Sequence, residues 1–264
     1  MNRSPEPASA GGLGTPRLHL RRTDSTNQRA RELAAAGAPH GTLVTASEQT
    51  AGRGRQGRSW SAPPGSSLLA SLILRPAPRL LPLSCAVAVC EALDGAPGAE
   101  QRPRAQIKWP NDIVLARGER LAKLAGILIE ARVGRADESW AVLGVGLNVA
   151  VELDELPAEL LQSAATLGLD RSEVEPLLAR LLRSLQTRIA QEPAETLAAW
   201  AQRDALRGRR IAWGPPGAAD APDAPIDSAG VAQGIDGDGR LVVALDGGGQ
   251  TALGSGEVHL RFAG

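Results

Sequence analysis

The apolar positions of this chain change period several times, and each change predicts a different element. Residues 25–37 (STNQRARELAAAG) predict a helix. Ser25 and Gln28 have capping-box spacing, and Gly37 is a natural stop. Residues 42–47 (TLVTAS) and 67–74 (SLLASLIL) are apolar runs of strand length, the second that of a buried strand. Residues 81–93 read as a helix rich in small residues. Segments 106–109, 113–116, 124–131 and 140–149 read as successive strands. Charged turns at 117–120 and 134–138 separate them, giving a mostly antiparallel pattern. The clearest helix is 174–189, where Val174, Leu177, Leu178, Leu181, Leu182, Leu185 and Ile189 form one stripe. Residues 197–206 continue as helix.

After Arg207-Gly208 the texture shifts to short strands at 209–213, 231–235, 241–245 and 257–262. The turn signals DGDG (236–239) and DGGG (246–249) lie between them. The pattern predicts an α+β protein in three parts: a disordered lead over 1–16, a main unit over 17–206 and a small all-β module over 207–264. A Pro/Ala/Asp-rich stretch at 214–229 reads as a flexible loop inside that module.

Composition narrows the function classes. The 264 residues carry no net charge, which argues against a surface devoted to nucleic acid or membrane. Tyr is absent, so the core rests on Leu, Val, Ile and Ala. The first 16 residues lack the apolar segment of a signal peptide, and no run is long enough to span a membrane. Cys85 and Cys90 lie five apart in an apolar helix and read as two buried thiols, which fits a reducing, cytoplasmic setting.

The charge is concentrated locally. Arg53, Arg55 and Arg58 crowd into the glycine-rich stretch 52–60, and no acid occurs between Glu48 and Glu91. The stretch contains GxGxxG, but the helix and the ribose-binding acid of a dinucleotide fold are missing. A solvated basic loop or an arginine-rich RNA contact is the simple alternative. The chemical reading is an anion-closing loop: arginines supply charge and glycines expose backbone N–H groups. Two more clusters offer companions to it. Lys108-Trp109-Pro110-Asn111-Asp112 forms a turn between strands, and Lys123 opens an apolar strand with Gly126 three residues on. Gly144-Val145-Gly146-Leu147-Asn148 suggests the floor of a ligand site.

In chain order, Asp24-Ser25-Thr26-Asn27, residues 48–60 (EQTAGRGRQGRSW), residues 108–112 (KWPND), residues 123–128 (KLAGIL) and residues 144–148 (GVGLN) resemble the biotin–protein ligase family. The resemblance implies a mixed, mostly antiparallel sheet with helices, of the class II synthetase-like kind, and a C-terminal SH3-like β-barrel. It implies that biotin is activated by MgATP to biotinyl-5′-adenylate and then passed to a lysine of a carboxylase's biotin carboxyl carrier domain. Ser25, Thr26, Asn27 and Gln49 would line the biotin pocket, with the backbone at Gly126 helping. Arg53, Gly54 and Arg55 would close over the carboxylate and the phosphates. Lys123 would bridge them as the principal catalytic residue, with Arg53 and Arg55. Trp60 would stack on adenine, and Arg58, Asn111, Asp112 and Asn148 would hold the nucleotide, with Asp112 also on Mg²⁺. Fewer than 25 residues precede Asp24, which leaves no room for the DNA-binding domain that some members carry; no membrane partner and a possible homodimer complete the expectation. A lipoate–protein ligase of the same fold is the nearest alternative, and a non-catalytic arginine-rich RNA-binding module is the alternative of another class.

Overall fold

The computed structural model describes residues 12–134, 139–214, 228–255 and 259–262. In chain order the elements are β1 (Arg17–Leu20), α1 (Thr26–Ala35), β2 (Leu43–Ala46), β3 (Gly52–Arg53), β4 (Ser59–Trp60), β5 (Ser67–Leu74), α2 (Leu81–Asp94), β6 (Gln106–Lys108), β7 (Asp112–Arg117), β8 (Arg120–Arg132) and β9 (Trp140–Asn148). There follow α3 (Val174–Ile189), α4 (Pro193–Ala201), β10 (Arg210–Gly214), β11 (Ser228–Ile235), β12 (Leu241–Leu245), β13 (Gln250–Leu253) and β14 (His259–Phe262). No described helix is long and apolar enough to cross a membrane.

A seven-stranded sheet runs β1-β2-β5-β9-β8-β7-β6. Only β1 and β2 are parallel, joined through α1; the other pairs are antiparallel, as the charged turns predicted. Side chains alternate across the sheet, and this alternation divides the molecule. On one face Leu43, Leu72, Leu74 and Leu143 join the main core, which continues through α2 and α3 to the C-terminal sheet. On the other face Val44, Ile73 and Val142 pack under Ala30 and Ala34 of α1. The stripe of α3 is real: Leu177, Leu178, Leu181 and Leu185 are buried, and Val174, Leu182 and Ile189 pack against the core.

Several details differ from expectation. Ser25 makes no side-chain cap on α1. Gln28 instead bonds Glu32, and the first helical N–H, that of Thr26, donates to Gln49 Oε1 at 2.7 Å. A residue distant in sequence therefore caps the helix. The predicted stop holds, since Gly37 has φ 89° and donates to Ala34 O. Helix α4 starts at Pro193 rather than 197, because Glu192 and Glu195 form a capping box, and it ends at Ala201. The lead expected over 1–16 is ordered in its last five residues: Gly14 N donates to Gly41 O, and Pro16 O accepts from Leu43 N. Residues 1–11, most of the expected loop (215–227), and residues 135–138 and 256–258 lie outside the described residues.

The C-terminal part is a five-stranded antiparallel sheet ordered β13-β12-β11-β10-β14. A barrel needs its edge strands joined, and no ladder between β13 and β14 exists among the described residues, so the sheet is open. It is packed to the main unit rather than tethered. Trp200, Ile211, Trp213, Leu241 and Val243 share one apolar cluster with α2 and the large sheet.

Candidate active site

The floor of the site is the α1-side face of β5, β9 and β8. Ser71 pairs with Gly144, Leu69 with Gly146, and Gly146 with Gly126. Side chains would fill the space above these glycines. A Cβ on Gly144 would lie 2.0 Å from Asn27 Oδ1, and one on Gly146 would lie 2.6 Å from the Trp60 ring. Asn27 and Trp60 thus occupy neighbouring stations along β9, two residues or roughly 7 Å apart. Above this floor is a cavity of about 460 Å³, the size of a small-molecule site.

Lys123 and Gly126 are three residues apart, which in a regular strand puts them on opposite faces. A bulge in β8 removes the conflict. Register with β7 shifts between Ile113 and Val114, so the strand gains a residue at Leu124. Lys123 then faces the floor, with its Nζ 5.8 Å from the centroid of Trp60.

One wall is made of neutral polar groups. Thr26 N and Oγ1 lie 2.7 and 3.0 Å from Gln49 Oε1. Ser71 Oγ lies 2.6 Å from Asn27 Oδ1 and 2.8 Å from Thr26 Oγ1. Asp24 fixes the entry to α1 by accepting from Ser25 N and from Arg29. These bonds hold its carboxyl well below the usual carboxylate range.

The other wall is cationic. Arg53, Arg55, Arg58, Lys108 and Lys123 line the cavity together with a single carboxylate, Asp112. Lys123 Nζ is 2.7 Å from Asp112 Oδ1. Burial pushes the Lys108 ammonium down from its ordinary value, opposed by Asp112 and assisted by Lys123. Burial also lowers Arg55, again opposed by Asp112. Arg55 donates to Asn111 Oδ1 at 3.3 Å and to the backbone of Ser255, so the glycine–arginine loop touches the C-terminal part. Asn111 is held in turn by Ile127, its Nδ2 donating to the carbonyl at 3.1 Å. Trp109 is buried and donates to Gly239 O at 3.0 Å. The 108–112 turn is therefore pinned at both flanks.

Every residue expected to form the site lines this one cavity: Ser25, Thr26, Asn27, Gln49, Arg53, Gly54, Arg55, Arg58, Trp60, Asn111, Asp112, Lys123, Gly126 and Asn148. Two carry unforeseen detail. The Trp60 indole N–H is buried without a partner among the described residues. Asn148 has both ends of its amide engaged, accepting from Ser67 Oγ at 3.3 Å and donating to Ala165 O at 2.9 Å. It thereby fastens residues 163–165, whose backbone brackets Lys123: Lys123 N donates to Ser163 O, and Ala165 N to Lys123 O. This segment, with Leu156 and Leu160, walls the cavity, and nothing in the sequence marked it. Lys108 was visible in its motif but given no role. Ser71 could have been found as the one hydroxyl in the middle of an apolar strand.

Similarity to known proteins agrees with this geometry. Residues 19–148 match the model described as Biotin/lipoate A/B protein ligase family, and residues 222–261 match Biotin protein ligase C terminal domain. The chain is 40% identical over 149 residues to the Bifunctional ligase/repressor BirA of Bacillus subtilis. That match covers 54% of this chain and 43% of the Bacillus protein's length. It is 37% identical over 254 residues to the Biotin--[acetyl-CoA-carboxylase] ligase of Mycobacterium tuberculosis, covering 90% of this chain and 87% of that one. The structure of the biotin protein ligase from Aquifex aeolicus in complex with biotin and ATP superposes with a TM-score of 0.70 at 26% identity, over 94% of this chain and all of the other. On these grounds the chain belongs to the biotin/lipoate protein ligase family.

Proposed function

We propose that this protein activates biotin with ATP and transfers it to a lysine of a carboxylase's biotin-carrier domain. The observation that carries this reading is the charge of the cavity. Five cations and one carboxylate surround a space whose other polar wall is neutral amides and hydroxyls. Joining a carboxylate to a nucleotide phosphate brings two anions together. At ~4 Å they repel by about 4 kcal/mol at an effective dielectric of 20. A wall of fixed and loop-borne cations offsets that repulsion, while the neutral wall suits an uncharged ring.

In this reading Thr26, Asn27, Ser25 and Gln49 bind the biotin ring, and the backbone at Gly126 assists. Lys123 contacts the carboxylate and the α-phosphate as the bond between them forms. Arg53, Gly54 and Arg55 close from the loop, and Arg58 and Asn111 hold the phosphates and the nucleotide. Trp60 offers a ring face for the adenine, and Asn148 acts by way of the wall that it fastens. Catalysis is positioning and charge neutralisation, with no covalent attachment to the protein. The released pyrophosphate leaves a mixed anhydride, which the carrier lysine attacks with loss of AMP.

The site fits magnesium that arrives on the nucleotide. Among the described residues no group of three or more metal-binding side chains exists, and Asp112 is the one carboxylate in the cavity. Mg²⁺ bound through phosphates asks for one or two carboxylates. There it would neutralise phosphate charge, with Asp112 holding it. The C-terminal sheet takes the part of the family's SH3-like module, and 17–206 that of the catalytic unit. The test is exchange of labelled pyrophosphate into ATP. It should require biotin and stay at background with lipoate or with no acid. Exchange driven by lipoate alone overturns the biotin assignment.

A further inference from the structure

Glu130 lies outside the cavity lining, on β8, and its side chain is 26% exposed. Its Oε2 accepts from Asn27 Nδ2 at 3.0 Å. Its Oε1 accepts from Arg31 at 2.9 Å and lies 3.9 Å from Arg53. We propose that Glu130 is a positioning residue that sets the polarity of a buried hydrogen-bond chain, Glu130–Asn27–Ser71–Thr26, so that Thr26 Oγ1 presents an acceptor to N–H donors of the ligand. The inference rests on the biotin reading above and deepens it.

The chain follows from counting protons. An ionised carboxylate only accepts, so the Asn27 atom facing Glu130 is its NH₂ group, and Asn27 Oδ1 faces Ser71. Asn27 Oδ1 carries no hydrogen, so the proton in the 2.6 Å contact belongs to Ser71. Ser71 has only that one, so the 2.8 Å contact with Thr26 is closed by the Thr26 hydroxyl proton. Gln49 Oε1 is still satisfied by Thr26 N. Thr26 Oγ1 also lies 3.0 Å from Gln49 Oε1, so one of its lone pairs faces that oxygen and the other is left for the cavity. Ser71 is fully buried and Thr26 nearly so, which leaves no bulk water to blur this order.

A cyclic urea supplies N–H donors to such an acceptor, whereas a dithiolane ring supplies none and would leave Thr26 unsatisfied. Sites built to pair with a substrate N–H reject analogues lacking it far more strongly than apolar pockets reject a missing methylene. If Glu130 could also donate, the Asn27 amide could reverse, and the chain would run the other way, with Ser71 donating to Thr26.

The test is Glu130→Gln, which keeps shape and removes the acceptor-only constraint. In biotin-dependent pyrophosphate exchange its KM for biotin should rise about tenfold, the scale of one net hydrogen bond, while kcat and the KM for ATP stay within twofold. Its preference for biotin over biotin methylated on the ureido nitrogens should shrink by a similar factor. Ser71→Ala breaks the same chain one link on. It should raise the biotin KM comparably, and the double variant should be no worse than the stronger single one. An unchanged biotin KM and unchanged discrimination in Glu130→Gln overturn the proposal, as do fully additive effects. Lack of biotin-dependent exchange in the wild type would instead overturn the functional reading itself.

Discussion

Replacing Lys123 with methionine removes one charge and keeps most of the side-chain volume. The ammonium lies 2.7 Å from Asp112, and 3.4 Å from where a Cβ on Gly126 would be. It is therefore held between the one carboxylate of the cavity and the floor. Two anions meeting there at ~4 Å repel by about 4 kcal/mol at an effective dielectric of 20, and a cation touching both recovers a comparable energy. Lys123 is 38% exposed, so solvent screens part of that interaction. A loss of roughly 2–3 kcal/mol in the transition state remains, which is about 30- to 160-fold in rate. Asp112 is not stranded by the change, because Lys108 and Arg55 still face it. The fold should hold, with Tm within about 4 °C of wild type. Pyrophosphate exchange at saturating biotin and ATP should fall by the stated factor, and biotin affinity measured without ATP should change less than tenfold. Exchange within twofold of wild type would refute the electrostatic role given to Lys123.

Other perturbations test the floor, the frame and the core. Gly146→Ala puts a methyl 2.6 Å from the Trp60 ring where carbon atoms prefer roughly 3.5–4 Å, so the ring must lift. The KM for ATP should rise about tenfold while biotin binding without ATP is kept; an unchanged KM for ATP contradicts the placement of Trp60. Asp24→Asn removes one partner of a largely exposed ion pair with Arg29 and should lower stability by a few tenths of a kcal/mol at neutral pH. Because the folded-state pKa of Asp24 is depressed by Arg29 and Ser25 N, its contribution is present above the ordinary carboxylate pKa and fades as pH falls through the lowered value. The Tm gap between variant and wild type should therefore close in acid; a gap constant with pH speaks against it. Burial pushes the Cys90 thiol up to about 12, and Cys85 higher still. Neither should react with a disulfide reagent until the protein unfolds, and prompt labelling of the native protein would contradict the core packing.

What the sequence disclosed, and what it hid, follows from the range of the interactions involved. The strands of the large sheet and helix α3 were legible because burial on one face leaves a periodic trace. The site motifs were legible because glycine, arginine and Asn-Asp clusters are unusual in company. β1 was not: its four residues RLHL alternate, but they are nearly all exposed and the run is too short to stand out. The cap of α1 was misread because Gln49, 23 residues away, makes it. The bulge that brings Lys123 to the face of Gly126 is a register event between two strands, invisible along one. Ser71 and Glu130 act through Asn27, and such indirect roles emerge only when three elements are brought together. Barrel closure likewise belongs to the pairing of edges, and no ladder that would close the C-terminal sheet exists among the described residues.

The central claim is that this cavity joins a carboxylate to the α-phosphate of ATP and keeps the product. The direct measurement is incubation of the purified protein with biotin and ATP labelled at the α-phosphate, without any carrier protein, followed by separation of protein-bound label. The account predicts about one equivalent of non-covalently bound biotinyl-adenylate per chain, dependent on biotin and released as labelled AMP when a biotin-carrier domain is added. Absence of bound label with biotin, or equal labelling with lipoate, would contradict it.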